Sequence, residues 1–248
     1  REALRIVRAA GIPVVADERR AIMHHKFAVV DGQRVLTGSW NFTVGDTYRL
    51  NNNAVIFRVP QLAANYSAEF EKMFVQRRFG PTKPKDIPYP EITVDGTRIE
   101  TYFAAEVDPT MRLVEVLLSA RERIDFLAFS FTQDDVGKAM LDRGRAGVKV
   151  RGVFERTGSE TRFSEFGPLR EAGLEVYQDA NPYIMHHKVI VVDGRITVFG
   201  SFNFSNNAAE DNDENLLIVH SPEFARAFLS EVDRVVAAAK AGPPARRQ

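Results

Sequence analysis

One pattern occurs twice in this chain of 248 residues, and the duplication constrains the fold more than any other feature. Ile22-Met23-His24-His25-Lys26 returns as Ile184-Met185-His186-His187-Lys188, an offset of 162 residues. Carried without gaps from 10–60 to 172–222, the offset makes 20 of 51 positions identical, far beyond chance. A unit that recurs at this spacing is of domain size and far too long for a solenoid repeat.

The second copy reads in full. Asp108-Pro109 opens an amphipathic helix carrying Leu113, Val116 and Leu117. An apolar strand is expected over 124–131, a helix over 134–145 and a second strand over 148–154. A helix over 164–172 and a third strand over 174–177 complete a βαβαβ order, which predicts parallel pairing under covering helices. Hairpins around Asp193-Gly194 and a last helix opened by Ser221-Pro222-Glu223 follow. Residues 80–98 read as an extended Pro-rich linker with a small hairpin at Asp95-Gly96. The expected division is 1–79 for the C-terminal part of a first domain, 99–240 for the second and 241–248 for a disordered tail. The first copy has no counterpart of the two apolar strands, so about 60 further residues are expected upstream of Arg1.

Composition narrows the chemistry. The chain has no Cys, which excludes a disulfide scaffold, a thiolate metal site and a Cys nucleophile. No apolar run is long enough for a membrane span. Lys and Arg number 33 and Asp and Glu 33, which argues against a protein that coats nucleic acid. A local phosphate groove from Arg143, Arg145, Lys149, Arg151, Arg156 and Arg162 stays open, opposed by the acidic run Glu210, Asp211, Asp213 and Glu214. Compartment is not legible: a chain without Cys suits the cytosol and secretion alike.

Each copy carries His-x-Lys, four residues, Asp, six residues, then Gly-Ser-x-Asn. The first has His24, Lys26, Asp31, Gly38, Ser39 and Asn41; the second has His186, Lys188, Asp193, Gly200, Ser201 and Asn203. Residues two apart on a strand share a face, so each His projects with its Lys while His25 and His187 face away. An ammonium beside an imidazole suits a phosphate: one holds the oxyanion, the other attacks or moves a proton. Asp31 and Asp193 precede Gly and read as hairpin-turn residues rather than catalytic ones. The Ser and Asn pairs offer donors to phosphate oxygens. A lone His is most often a satisfied core residue; a whole constellation met twice is not read that way.

The paired motifs resemble the phospholipase D superfamily of phosphodiesterases. The likeness covers the second copy throughout, including 126–132, the Lys149/Arg151 strand and 212–215, where it is similar to the small bacterial nucleases of that superfamily. The resemblance implies an α/β fold of two like domains, each a mixed, mostly parallel sheet flanked by helices. It implies pseudo-two-fold symmetry, the first domain being N-terminally incomplete. It further implies one shared active site, a covalent phosphohistidine, no metal and no cofactor. Glu214 aligns with Asn52, and the family often pairs a carboxylate here with a His across the halves. On that footing Glu214 orients His24 as nucleophile, His186 is the general acid/base, and Asn52 orients His186 without charge. The expected partner is a phosphodiester in a phospholipid or a nucleic acid. Head-group hydrolysis, DNA or RNA cleavage, phosphatidyl transfer and plain phosphate binding all stay open. Phe163, Phe166 and Tyr183 are candidates for peripheral membrane contact, and the full-length protein is expected to be a monomer.

Overall fold

The computed structural model describes residues 2–242. Its first part runs α1 (Glu2–Ala9), β1 (Phe27–Val30), β2 (Arg34–Gly38), α2 (Val44–Tyr48), β3 (Ala54–Phe57) and α3 (Pro60–Phe74). Asp31 and Gly32 turn β1 into β2 with φ of 56° and 62°, the left-handed pair that a two-residue hairpin needs. Helix α2 starts where the Thr43 hydroxyl accepts the Asp46 amide at 3.1 Å. Pro60 opens α3, where its missing N–H costs nothing. The three strands form an antiparallel sheet in the order β1-β2-β3.

The rest runs β4 (Glu91–Val94), β5 (Thr97–Ala104), α4 (Thr110–Leu118), β6 (Arg123–Ala128), α5 (Asp134–Arg145) and β7 (Lys149–Phe154). Then come α6 (Arg156–Ser159), α7 (Phe166–Glu171), β8 (Glu175–Gln178), β9 (Lys188–Val192), β10 (Ile196–Gly200), α8 (Asn206–Glu210), β11 (Glu214–His220) and α9 (Pro222–Ala241). They build an eight-stranded sheet in the order β4-β5-β11-β10-β9-β6-β7-β8. The sheet is mixed, but not mostly parallel as expected. Only β6–β7 and β7–β8 pair parallel, and the other five pairings are antiparallel. The βαβαβ order governs only the strands joined by α5 and α7; hairpins and the return of β11 beside β5 reverse the remainder. The hairpin at Asp95-Gly96 is no part of a spacer, because β5 pairs along its length with β11. Helix α9 reaches Ala241, and residues 243–248 of the expected tail lie outside the described residues.

Strands β1, β2 and β3 occupy, at the 162-residue offset, the places of β9, β10 and β11. Val35 of β2, with Leu62 and Tyr66 of α3, packs with Val189, Val191, Phe199 and Leu217 of the large sheet in one buried cluster. The opposite face of the large sheet buries Leu113, Leu117, Phe126, Val136, Met140 and Ile190 under α4 and α5. The two halves differ at one edge. Strand β9 is flanked by β6, whereas β1 pairs only with β2 among the described residues. In the second half Met185, Val232, Val235 and Val236 are buried against Leu127 and Val153. Their counterparts Met23, Phe70, Met73 and Phe74 line an open apolar pocket of about 270 Å³.

Candidate active site

Both motifs lie where a chain enters a hairpin: His24 and Lys26 just before β1, His186 just before β9, and Lys188 at its first residue. Each is tied to the opposite half by main-chain bonds. The His24 amide donates to the Asp213 carbonyl at 3.0 Å and the Asp213 amide to the Ile22 carbonyl at 3.0 Å. In the matching pair, the His186 amide donates to Asn51 at 2.7 Å and the Asn51 amide to Ile184 at 3.1 Å. This crossing brings the motifs face to face about a pseudo-two-fold axis. The ammonium groups of Lys26 and Lys188 bond the carbonyls of their own His at 2.5 and 2.9 Å.

Three substitutions break the symmetry. Glu214, where the first copy has Asn52, accepts the His24 Nδ1–H with both oxygens at 2.7 and 2.8 Å. The Ser201 hydroxyl donates to the same carboxylate at 2.6 Å. Asn52 does not reach His186; it donates instead to the Asp46 carbonyl at 2.8 Å. His186 Nδ1–H donates to the Ser39 carbonyl at 3.0 Å, with the Asp46 carboxylate 3.8 Å away. A carbonyl and a carboxylate accept only, so both rings carry the proton on Nδ1 and turn Nε2 to the site. Asp46 also holds the Asn41 amide nitrogen at 2.8 Å. Its counterpart is Ala208, and the Asn203 side-chain oxygen is buried without a partner among the described residues. Ser39 and Ser201 accept the amides of Asn53 and Asn215 at 3.1 and 3.0 Å, so they brace strands. The third substitution sets Asp213 where the first copy has Asn51.

The electrostatics follow from burial. Both lysines are buried, at 6% and 1% exposure. Burial lowers Lys26 to about 8, against the pull of the Glu214 and Asp46 carboxylates. Burial and then the Lys26 charge push Lys188 well below the ordinary lysine range. Burial, Lys188, Lys26 and His24 together hold His186 neutral, down to about 2. Burial is the largest cause in each case, and the crowding of like charges around His186 adds to it, which a phosphate anion relieves. Phe129, on the loop after β6, meets His186 edge-on at 4.8 Å and lies 4.5 Å from the Lys188 ammonium.

His25 and His187 point away from the site. Asn215 donates to His25 Nδ1 at 3.4 Å, and His25 Nε2–H donates to Glu69 at 3.0 Å. Asn53 and Glu231 repeat this on His187, each bond at 3.0 Å. Glu69 and Glu231 are themselves 162 apart, a signal just past the aligned window. Asp31 and Asp193 are turn residues, and Asp193 further accepts the amides of Arg121, Glu122 and Arg123 at 2.8–2.9 Å. His25, Glu69 and Asp213 put ligand atoms within 4.8 Å of one another, as a metal site would. The Lys83 ammonium is bonded to both of those carboxylates. Sequence reasoning missed Asp46, Lys83 and Phe129. The first has Ala208 as its counterpart, Lys83 carries no motif, and Phe129 lies within 126–132, which the likeness covers without giving it a role.

The family model described as cardiolipin synthase, PLD-like domain, matches residues 1–74 and 113–236. Mitochondrial cardiolipin hydrolase of Homo sapiens is 38% identical over 124 residues, 50% of this chain and 49% of that protein. The chain spans about half the length of the curated relatives it matches. Nuc from Salmonella typhimurium, a phospholipase D family member, superposes with a TM-score of 0.55 at 28% identity, over 57% of this chain and 95% of that one. Phosphatidylserine synthase of Haemophilus influenzae Rd KW20 shares the fold over 87% of this chain and 61% of its own, with a TM-score of 0.64 at 12% identity.

Proposed function

The chain belongs to the phospholipase D-like domain family, and on that premise we propose that it hydrolyses phosphodiesters through a phosphohistidine on His24, with phospholipid head groups as substrate. The observation that carries the chemistry is that two His-Lys pairs, one from each half, are held close enough to act on one another's charge. Lys26 and Lys188 hold the phosphate oxygens. His24 Nε2 attacks phosphorus, and the imidazolium that results is stabilised by Glu214 through Nδ1–H. The anionic substrate offsets the charge of the two lysines, so His186 takes up a proton as the diester binds and gives it to the leaving alkoxide. Neutral again, His186 removes a proton from water, which attacks the phosphohistidine and frees His24.

Two features favour a lipid. Of the six basic residues expected to form a groove, Arg143, Arg145, Lys149 and Arg151 do not do so at the site, and only Arg156 and Arg162 follow the end of β7 that pairs beside Lys188. Lys149 pairs with Arg123 at the start of β6, while Lys188 lies against Ala128 at its far end. Arg151 is also spent on Asp125 and Asp233. Next to Asp46, by contrast, helix α2 exposes Val44 at 74% and Tyr48 at 81%. Both positions are exposed in the second copy too, where they are Asn206 and Glu210. The apolar character there belongs to the first copy alone. With Tyr183, exposed and stacked under Arg49 at 5.3 Å, this rim suits the polar–apolar boundary of a bilayer. Phe163 is exposed, while Phe166 packs into the core. No helix among the described residues is long and apolar enough to cross a membrane. Relatives named cardiolipin hydrolase support the lipid reading; Nuc keeps nucleic acid as its rival.

The test is incubation with EDTA, separately with phosphatidylcholine vesicles, cardiolipin vesicles, and single- and double-stranded DNA. Release of the lipid head group alone supports the proposal. Cleavage of DNA alone replaces lipid with nucleic acid, and loss of all activity in EDTA contradicts a metal-free phosphohistidine route. A pH dependence accompanies it. Lys26 is a cation below about 8 and loses its proton above that pH. kcat/KM, which reports the free enzyme, therefore falls as pH rises through about 8, and Lys26→Arg removes the Lys26 part of that fall and leaves the part due to Lys188.

A further inference from the structure

We propose that Lys83, delivered by the connector between the two halves, is a positioning residue for His24. The inference rests on the reading of His24 and Glu214 as catalytic partners. The connector is not the extended, solvated spacer its four prolines suggest. Gly80–Thr82 forms a single 3-10 turn, and Lys83 then enters the protein with a side chain 0% exposed. Its ammonium forms ion pairs with Asp213 Oδ1 at 2.6 Å, Glu106 Oε2 at 3.0 Å and the Glu69 carboxylate. The Gly80 amide adds a bond to Asp213 Oδ1 at 2.7 Å, and Arg19 holds Asp213 Oδ2 at 2.5 Å.

Two of these three carboxylates are one step from the catalytic pair. Asp213 exchanges main-chain bonds with Ile22 and His24, and the next residue is Glu214, whose oxygens hold His24 Nδ1. Glu69 accepts from His25, the residue after His24. One buried cation thus fixes both segments on which the His24–Glu214 contact depends. Among the described residues the His186 half has no such device. There Asn51 replaces Asp213, and Glu231, the counterpart of Glu69, pairs with Arg234, whose side chain is 57% exposed.

Without the ammonium, three buried carboxylates face one another. Lys72 comes within 3.6 Å of Glu69 and 3.5 Å of Glu106 and contributes no bond to Asp213. Asp213 is then left to Arg19 and Gly80, and Glu214 moves with it. Small displacements of a positioned group cost on the order of 10²-fold in rate.

The test uses the 248-residue chain with Lys83→Met, and Lys83→Met/Glu106→Gln to keep the buried charge closer to balance if the single variant fails to fold. The first readout is the downfield proton resonance of the His24 Nδ1–H bonded to Glu214, identified by its loss in His24→Asn. The second is kcat and KM on bis(p-nitrophenyl) phosphate. The expected result is loss of the resonance in the folded variant, with kcat down about 10²-fold and KM within about twofold. A role confined to stability lowers the melting point and leaves the resonance in place; a folded variant with that resonance and near-normal kcat overturns the proposal. The resonance is read on the resting protein. A chain inactive on every diester tested would sink the proposed function while this arm still decides on Lys83.

Discussion

His24→Asn is expected to lower kcat by on the order of 10⁴-fold or more, because it removes the atom that bonds to phosphorus. His186→Asn is expected to lose about 10²- to 10⁴-fold, the range of a general acid/base. The two losses differ in kind as well as size. In His186→Asn the nucleophile and its Glu214 contact are intact, so a diester with a good leaving group such as p-nitrophenolate still phosphorylates His24. Hydrolysis of that intermediate lacks its base. Label from a ³²P-diester therefore accumulates on His24, stable to alkali and released by acid as a phosphoramidate is. Peptide mapping locates it. Label on His186 in His24→Asn would reverse the assignment. His25→Asn and His187→Asn are expected to lose far less than the facing histidines, since both rings are buried behind the site on Asn and Glu partners, with His25→Asn the more affected because it also removes the bond from Glu69 to the segment of His24. Equal losses in all four variants would overturn the division between facing and rear histidines.

The repeat made the centre of the site legible, and its exceptions marked where the halves diverge. His24, His186 and their lysines stand at equivalent positions, so matching the two copies was enough to pair them. Glu214 was visible because it departs from Asn52 at one aligned position. The same comparison misplaced the partner of His186. Asp46 lies six residues before Asn52, on the short helix α2, and nothing at Ala208 draws attention to it. The sheet was half legible for a related reason. Local order shows which strands are joined by helices, and so found the parallel β6–β7–β8 part. The return of β11 to a place between β5 and β10 is a long-range pairing that no local pattern encodes. Lys83 was hidden by its neighbours: prolines predict an extended chain but are silent on whether that chain packs.

Gly200→Ala is expected to be the most damaging substitution outside the histidines. Gly200 closes β10 with φ of 149°, a conformation that L side chains rarely adopt. A Cβ there would lie 2.3 Å from the Asn215 carbonyl oxygen, which accepts the Ser201 and Phe202 amides at 3.0 and 3.2 Å. The obstacle is main chain, so no rotamer change relieves it. Backbone strain of about 1–3 kcal/mol and overpacking of about 1–3 kcal/mol together give roughly 2–6 kcal/mol, a large share of a domain's stability. Gly38→Ala meets the Asn53 carbonyl at 2.4 Å and is expected to destabilise similarly in urea melts. Each clash also reaches a catalytic ring. Displacing Asn215 drags Glu214, the carboxylate on His24, and displacing Asn53 disturbs Ser39, whose carbonyl holds His186 Nδ1–H. Gly32→Ala, at φ of 62° with open space around it, carries the strain without the clash and serves as control. A Gly200→Ala protein as stable and as active as that control would mean that the glycine is kept for its turn alone. Lower activity at equal stability would mean that the close approach at Asn215 helps to set the geometry of the catalytic pair.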